Sequence, residues 1–202
     1  LEKAGSRDSK GGAMRDYSHI EEYLDNLAAD IYPQPPDDMH RNQTKDVFYT
    51  WIAQRVPGIK TALDVGCGQG IAFPLFAELG IQATGVTLGP DYDVCKSLGL
   101  DVKRQDMHFL QWESGSFDLI FARHVLEHSP MPLLALMEWH RVSRRYCIVV
   151  VPHHSHVVQG GINHYYMLNP IQWKVLFKRA GWGLVHEDYS DPSEHRFFLE
   201  KQ

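Results

Sequence analysis

The spacing of apolar residues along the chain changes near residue 60. Before that point, apolar positions recur every three or four residues, which is the period of an amphipathic helix. Ser18 and Glu21 form a capping-box pattern, so one helix is predicted to begin there. The proline-rich stretch PQPPDDM (33–39) should end it. A second helix is predicted with Thr44 as its N-cap and with Pro57-Gly58 at its end.

From Lys60 onward, short apolar runs alternate with segments of helical period. Strand–helix alternation of this kind predicts an α/β fold with a doubly wound, mostly parallel sheet. Ligands of such sheets bind outside the carboxyl ends of the strands. The predicted strands are 61–65, 82–86, 101–104, 117–122 and 145–151, with closing strands at 183–188 and 195–200, and the predicted helices are 70–79, 90–98, 130–141 and 170–180.

The first predicted strand runs directly into an acid and a glycine-rich turn. Asp64 is followed by Gly66, Gly68 and Gly70, and the residue after them is Ile71. Glycine allows a tight turn and close approach of a ligand to the backbone. The dinucleotide fingerprint G-x-G-x-x-G would need glycine at position 71, and no Gly-Lys-Ser/Thr of a phosphate-binding P-loop is present. An acid beside such a turn favours a ligand that carries positive charge.

The segment LDVGCGQG (63–70) resembles the first motif of the class I S-adenosylmethionine-dependent methyltransferases. Four further segments resemble later motifs of that family in the expected order, and the resemblance extends over residues 44–202. It implies a Rossmann-like methyltransferase fold with a seven-stranded sheet, preceded here by N-terminal helices. The four segments are GVTLGP (85–90), RQDMHFL (104–110), SFDLIFARHVLEHS (116–129) and NPIQWKVLFKRAGW (169–182).

The resemblance also implies S-adenosylmethionine as the cofactor. Asp64 would attract its cationic end, and backbone N–H groups of the glycine turn would approach its carboxylate and ribose. Asp106 would accept a hydrogen bond from the adenine amino group, and the N–H of Met107 would donate to the ring. The predicted cofactor-binding residues are Asp64, Gly66, Cys67, Gly68, Gly70, Thr87, Asp106 and Met107.

The chain departs from the family at the end of the second strand. Most members place an acid there to bind both ribose hydroxyls, whereas this chain has Thr87, as in cyclopropane-fatty-acid-synthase-like members. One hydroxyl binds more weakly than a carboxylate. Asp91 or Asp93 could supply the missing carboxylate. Alternatively, both acids only complement the dipole of the following helix.

Histidines are concentrated where the methyl acceptor should bind. The chain has 12 of them, and a stretch containing His153, His154, His156 and His164 follows the fifth strand. An alcohol acceptor needs a base, and histidine suits this role near neutral pH. We therefore predict His128 and His164 as catalytic residues. The predicted substrate-binding residues are His124, His153 and Tyr165.

The same residues also allow a metal interpretation. His124-x-x-Glu127-His128 has the H-x-x-E-H spacing of some zinc enzymes, and some methyltransferases bind a divalent ion with similar residues. His164 could supply a further ligand. Zinc binding of this type needs a helix over 124–128, which Ser129-Pro130 would shorten. We assign no metal ligand on sequence grounds.

Composition narrows the function further. The net charge of −5 lacks the basic excess of a general nucleic-acid binder. Three widely spaced cysteines indicate reduced thiols, and no apolar run is long enough to span a membrane. These features predict a cytoplasmic protein without nucleic-acid or membrane partners. We expect residues 1–13 to be a cloning remnant before a native start near Met14, residues 14–43 to be a helix and linker, and residues 44–202 to be the methyltransferase domain.

The predicted function is methyl transfer to a small-molecule acceptor, such as a sugar or metabolite hydroxyl. Two alternatives stay open: methylation of an RNA ribose or a protein side chain, and a cofactor-binding protein without catalysis. A nicotinamide-dependent dehydrogenase is disfavoured by Ile71 and Thr87. The sequence leaves the acceptor atom and the oligomeric state open.

Overall fold

The computed structural model describes residues 18–30, 35, 37–56, 58–156 and 163–202. It divides into two units, residues 1–31 and 32–202. In the first unit, helix α1 (Ser18–Ala28) lies where the apolar spacing predicts it. The His19 and Tyr23 rings stack one turn apart, with centroids separated by 6.3 Å. The predicted remnant at 1–13, and most of the proline-rich stretch before residue 37, lie outside the described residues.

The second helix begins six residues before the predicted N-cap Thr44, so that prediction was wrong. Asp37 caps it instead, because its carboxylate accepts a hydrogen bond of 2.8 Å from the N–H of His40. Thr44 lies inside the helix, and its hydroxyl donates to the His40 carbonyl at 2.7 Å. Helix α2 (Asp38–Val47) continues through a π-helical turn (Phe48–Ile52) into α3 (Ala53–Arg55). The boundary predicted between residues 43 and 44 therefore falls within α2.

The larger unit is built on a seven-stranded sheet of the predicted α/β class. Its strand order is β3-β2-β1-β4-β5-β7-β6. β7 runs antiparallel to both of its neighbours, and the other pairs are parallel. The strands are β1 (Thr61–Val65), β2 (Gln82–Val86), β3 (Val102–Lys103), β4 (Phe117–Arg123), β5 (Ser143–Pro152), β6 (Trp182–Asp188) and β7 (Glu194–Lys201).

The first three connecting helices begin one to three residues later than the sequence predicts, and the last begins at the predicted residue, Pro170. Gly70 has a φ of +84°, so the backbone cannot enter a right-handed helix before the next residues. At the last helix, Asn169 accepts a hydrogen bond from the N–H of Gln172 and completes a capping box. The helices are α4 (Phe73–Glu78), α5 (Asp91–Ser97), α6 (Pro132–Val142) and α7 (Pro170–Arg179), with short 3-10 turns at Leu126–His128 and His154–His156.

Alternate residues of the central strands point to opposite faces of the sheet and fill two apolar cores. Leu63 and Val65 pack on the face that holds Trp139 and Trp173, while Ala62 packs on the other. This double-sided burial leaves the carboxyl ends of β1, β2, β4 and β5 as one edge where loops meet. Within the described residues, no helix has the length and apolar character that crossing a membrane requires.

Candidate functional site

The glycine turn after β1 depends on backbone angles that favour glycine. Gly66, Gly68 and Gly70 have φ values of +66°, +51° and +84°. The N–H groups of Gly66 and Cys67 both donate to the Val86 carbonyl, at 2.9 and 3.1 Å, which holds the turn against the end of β2. A Cβ at position 66 would lie 2.4 Å from a methyl carbon of the Val125 side chain. The turn is therefore packed tightly against the loop after β4.

Asp64 lies at the end of β1 with only 4% of its surface exposed. No hydrogen bond or ion pair joins its carboxyl group to another described residue. Burial, followed by the charge of Cys95, raises the pKa of Asp64 well above its usual range. A cation placed beside the carboxyl group would favour its ionised form, so the residue is suited to a positively charged ligand.

Of the two acids that could replace the family's ribose-binding residue, Asp91 lies at the glycine turn. Gln69 Nε2 donates to Asp91 Oδ1 at 3.0 Å, and Asp91 is buried. Asp93 is 76% exposed and pairs with Arg104 at 3.5 Å. Thr87 is buried, and its hydroxyl lies 3.3 Å from the Leu88 carbonyl. Of the two candidate carboxylates, Asp91 therefore lies near the glycine turn, whereas Asp93 is exposed and pairs with Arg104.

A buried histidine that the sequence analysis missed joins the predicted adenine site to the loop after β4. Asp106 Oδ1 accepts hydrogen bonds from the N–H of His108 at 2.7 Å and from its Nδ1 at 2.5 Å. The other ring nitrogen, Nε2, lies 2.6 Å from Ser129 Oγ. Met107 uses its carbonyl to accept from the Trp139 indole at 3.1 Å. His108 therefore fixes both Asp106 and Ser129 in place.

Glu127, His128 and His164 form a compact cluster at the carboxyl end of β4. Their potential ligand atoms all lie within 4.8 Å of one another. The His128 and His164 rings are 4.6 Å apart in an edge-to-face arrangement, and His128 Nδ1 donates to the Asn163 carbonyl at 3.0 Å. Both carboxyl oxygens of Glu127 and the Nδ1 of His164 are buried without a hydrogen-bond partner in the described part of the chain.

The pKa shifts in this cluster favour the neutral form of each group. Burial raises the pKa of Glu127 to about 8. Burial and the neighbouring His164 lower the pKa of His128 to about 4. The 3.8 Å separation of Glu127 Oε1 and His128 Nε2 is thus a contact between a neutral carboxyl group and a neutral imidazole rather than an ion pair. A neutral imidazole such as that of His128 can accept a proton. Glu127, His128 and His164 together could also hold a divalent cation.

His124 lies apart from this cluster despite the H-x-x-E-H spacing. It adopts a φ of +52°, and its Nε2 lies 3.1 Å from Glu194 Oε2. Residues 126–128 form one 3-10 turn rather than the α-helix that the zinc spacing requires. Burial lowers the pKa of His124 to about 4. Positive φ at a non-glycine residue often marks a functional site.

Glu194 is the centre of a buried charge network that the sequence did not indicate. Its carboxylate accepts from Arg123 at 2.9 Å and from Arg196 Nε at 2.8 Å. Although burial opposes ionisation, the bond to His124 and the two arginines hold the pKa of Glu194 at about 2. The network ties the end of β4 to the start of β7, which positions the loop that carries Glu127 and His128.

The remaining predicted acceptor residues fall into different environments. Tyr165 donates its backbone N–H to the Glu127 carbonyl at 2.8 Å, so its segment lies over the cluster. His153 instead packs with His154 and with His195 of β7. Burial and these two neighbours lower the pKa of His195 to about 4. The middle of the histidine-rich stretch, residues 157–162, lies outside the described residues.

Comparison with known proteins identifies the domain. Residues 63–151 match the family model described as a methyltransferase domain. A ubiquinone biosynthesis O-methyltransferase of Xanthomonas campestris pv. campestris (strain B100) is 37% identical over 109 residues, which cover 50% of this chain and 44% of that protein. The protein of the same name from Pseudomonas paraeruginosa (strain DSM 24068 / PA7) is 30% identical over 102 residues, covering 46% and 44%. The chain thus spans less than half the length of these curated relatives.

Solved structures share the fold at low sequence identity. The PH0226 protein of Pyrococcus horikoshii OT3 aligns with a TM-score of 0.72 at 14% identity, over 90% of this chain and 99% of that one. Magnesium protoporphyrin IX methyltransferase from Synechocystis PCC 6803 with bound SAH aligns with a TM-score of 0.65 at 15% identity, over 92% and 95%. The glycine turn, the strand order and the matched family model agree. Residues 63–151 are therefore similar to methyltransferase domains, and the larger unit has the Rossmann-like fold of S-adenosylmethionine-dependent methyltransferases.

Proposed function

We propose that this protein binds S-adenosylmethionine and transfers its methyl group to a hydroxyl oxygen of a small molecule. The proposal depends on one observation: the glycine turn and the cluster of Glu127, His128 and His164 lie next to each other at one edge of the sheet. The glycine turn beside Asp64 packs against Val125. Two residues after Val125 comes Glu127, which forms the neutral cluster with His128 and His164. A cofactor in the turn would thus lie close to groups that can manage the acceptor's proton.

Each part of the cofactor has a suitable partner among the residues around the turn. Asp64 is assigned to the cationic end of the cofactor, because its carboxyl group has no hydrogen-bond partner in the described part of the chain. At Gly68 a Cβ would meet only Asp91 Oδ2, at 3.9 Å, so a ligand can approach the turn there, and Gly66, Cys67 and Gly70 hold the turn in shape. Asp91, assisted by the hydroxyl of Thr87, is placed to accept from the ribose. Asp106 and the N–H of Met107 are assigned to adenine. His108 keeps Asp106 oriented through its two hydrogen bonds.

His128 is the proposed base. Its Nδ1 donates to the Asn163 carbonyl, so the neutral ring presents the lone pair of Nε2 on its other side. When bound, the cofactor would supply an electrophilic methyl group, and His128 Nε2 would take the hydroxyl proton of the acceptor as its oxygen displaces the sulfur from that methyl. Protonated Glu127 and neutral His164 would lie beside the reacting oxygen, and Tyr165 is assigned to acceptor binding. His124 and His153, predicted for the same role, are not assigned to it, because His124 bonds to Glu194 and His153 packs against His195.

A small-molecule acceptor agrees with the printed names of the relatives and with the net charge of −5. The relatives are O-methyltransferases by name, which favours oxygen as the acceptor atom.

The cofactor half is tested by calorimetry with S-adenosylmethionine and with its demethylated product. Wild-type protein should bind both, and Asp64→Ala should lose at least tenfold in affinity. Asp64→Asn keeps the side-chain shape and is the matched control for loss of charge alone. Wild-type protein that binds neither compound would contradict the proposal.

The catalytic half is tested by transfer of a labelled methyl group to a panel of phenols, sugars and short RNAs. His128→Asn should lower kcat by a factor of about 10² to 10⁴, the usual contribution of a general base, while leaving cofactor affinity unchanged. Repeating the assay with EDTA and then with added Mg²⁺ separates proton transfer from a cation held by Glu127, His128 and His164. Transfer to RNA alone would replace the small-molecule acceptor with a macromolecule.

A further inference from the structure

A second histidine cluster lies at the junction of β5 and β7, and the proposed reaction does not need all of it. We define the β5–β7 histidine cluster as His153, His154 and His195. One ring nitrogen of each residue lies within 4.8 Å of the others. His154 Nδ1 and His195 Nε2 are 3.0 Å apart. The three ring centroids are separated by 4.4 to 5.3 Å.

We propose that the β5–β7 histidine cluster binds a divalent transition-metal ion, of which Zn²⁺ is the representative. Three imidazoles that converge on one point match the three-protein-ligand set of a zinc site with an open fourth position. Imidazole suits zinc, copper and nickel, whereas Mg²⁺ and Ca²⁺ prefer oxygen ligands. The cluster contains no carboxylate, so its chemistry differs from that of Glu127, His128 and His164.

His195 provides an independent indication that a ligand is missing. Its side chain is 2% exposed, and its Nδ1 is buried without a hydrogen-bond partner in the described part of the chain. A buried imidazole normally has both ring nitrogens engaged, because an unsatisfied polar atom is costly. Among the described residues, the ring's hydrogen-bond contact is between its Nε2 and His154 Nδ1, so its Nδ1 is left uncompensated.

The sheet holds these ligands in place. His195 is opposite Val151 in the antiparallel β5–β7 ladder, and the His153 N–H donates to the Ser193 carbonyl at 2.8 Å. Ser155 Oγ and the Ser155 N–H lie 2.7 and 3.2 Å from His153 Nδ1, which orients that ring. Ligands on rigid elements with oriented rings are the arrangement that favours metal binding over a loose surface cluster.

The experiment uses the full chain, treated with EDTA and dialysed, and titrates it with ZnCl₂ in a calorimeter. The wild-type protein should bind a zinc equivalent that is absent from both His154→Gln and His195→Asn. His186→Gln removes a histidine outside the cluster and should keep that equivalent. Glu127→Gln should also keep it, which separates this site from the cluster at β4. A tenfold excess of MgCl₂ should leave the zinc isotherm unchanged.

A second readout identifies the ligands. Co²⁺ in place of Zn²⁺ should give the visible absorption of a four-coordinate histidine site, and that absorption should be missing from His154→Gln. Because His195 is buried, circular dichroism must show that each variant is folded, and the half-buried His154 supplies the test if His195→Asn unfolds. Absence of zinc binding to wild-type protein, or full retention of the zinc equivalent in His154→Gln, overturns the proposal.

Discussion

Replacing Glu127 with glutamine should make the protein more stable at alkaline pH. The Glu127 carboxyl group is fully buried and has no hydrogen-bond partner in the described structure. Its pKa is raised from 4.5 to about 8, chiefly by burial. The unfolded chain, in contrast, exposes this group to water and ionises it at an ordinary pKa. Glutamine keeps the shape of the side chain and cannot ionise.

The size of the effect follows from the two pKa values. Between pH 4.5 and pH 8 the native protein retains a proton that the unfolded chain has lost, so stability falls as the pH rises. A shift of this size corresponds to about 5 kcal/mol. Water penetration and relaxation around a buried charge reduce such penalties, so we expect about 2 to 5 kcal/mol.

Urea unfolding of the wild type and of Glu127→Gln at pH 5, 6.5 and 8.5, with EDTA present, measures this directly. The difference in unfolding free energy between the two proteins isolates Glu127, because their other titrating groups are the same. That difference should shift in favour of the glutamine variant as the pH increases. A difference independent of pH, or one that shifts in favour of the wild type, would refute a neutral buried Glu127.

Three further predictions test the cofactor side. Gly66→Ala should lower the free energy of unfolding in urea by about 2 to 5 kcal/mol, because residue 66 has positive φ and the new Cβ would contact the Val125 side chain. The control Gly58→Ala, with φ of +81° and open space around it, should cost only about 1 to 2 kcal/mol. Asp91→Asn should weaken S-adenosylmethionine binding at least fivefold, as measured by calorimetry. If Asp91→Asn and the comparison variant Asp93→Asn bound the cofactor equally well, Asp91 would not be the residue that binds the ribose. His108→Phe should cost about 1 to 3 kcal/mol and lower cofactor affinity, since Asp106 and Ser129 lose their bonds to the ring while the backbone N–H bond to Asp106 remains. Unchanged affinity in a folded variant would remove His108 from the site.

The elements of the fold could be predicted because their signals are local. The strands 61–65 and 82–86 were predicted with the bounds that the structure shows, and the family model of methyltransferase domains matches residues 63–151, which include the glycine turn. The failure at Thr44 has an equally local cause. Two residues at the end of the proline-rich stretch, Asp37 and Asp38, were interpreted as part of a breaker, although aspartate is also a preferred N-cap.

The arrangement of the site could be predicted only in part, because it depends on contacts between distant residues. The sequence placed His128 and His164 together correctly, through the rule that carboxyl ends of parallel strands share one edge. It could not show that His153 joins His195, 42 positions later along the chain, or that Glu194 pairs with Arg123. Burial of Glu127 was also hidden, because a glutamate after a strand is normally exposed.

The backbone of Glu127 has a consequence for the order of events during turnover. Its carbonyl accepts from the N–H groups of both Tyr165 and Tyr166, at 2.8 and 3.2 Å. The segment that covers the cluster is thus bonded to the same residue whose carboxyl group has no hydrogen-bond partner among the described residues. Lifting that cover would hydrate the carboxyl group and release its proton. An open site would then carry a negative charge that a closed site lacks, and each closure over an acceptor would take up one proton from the solvent.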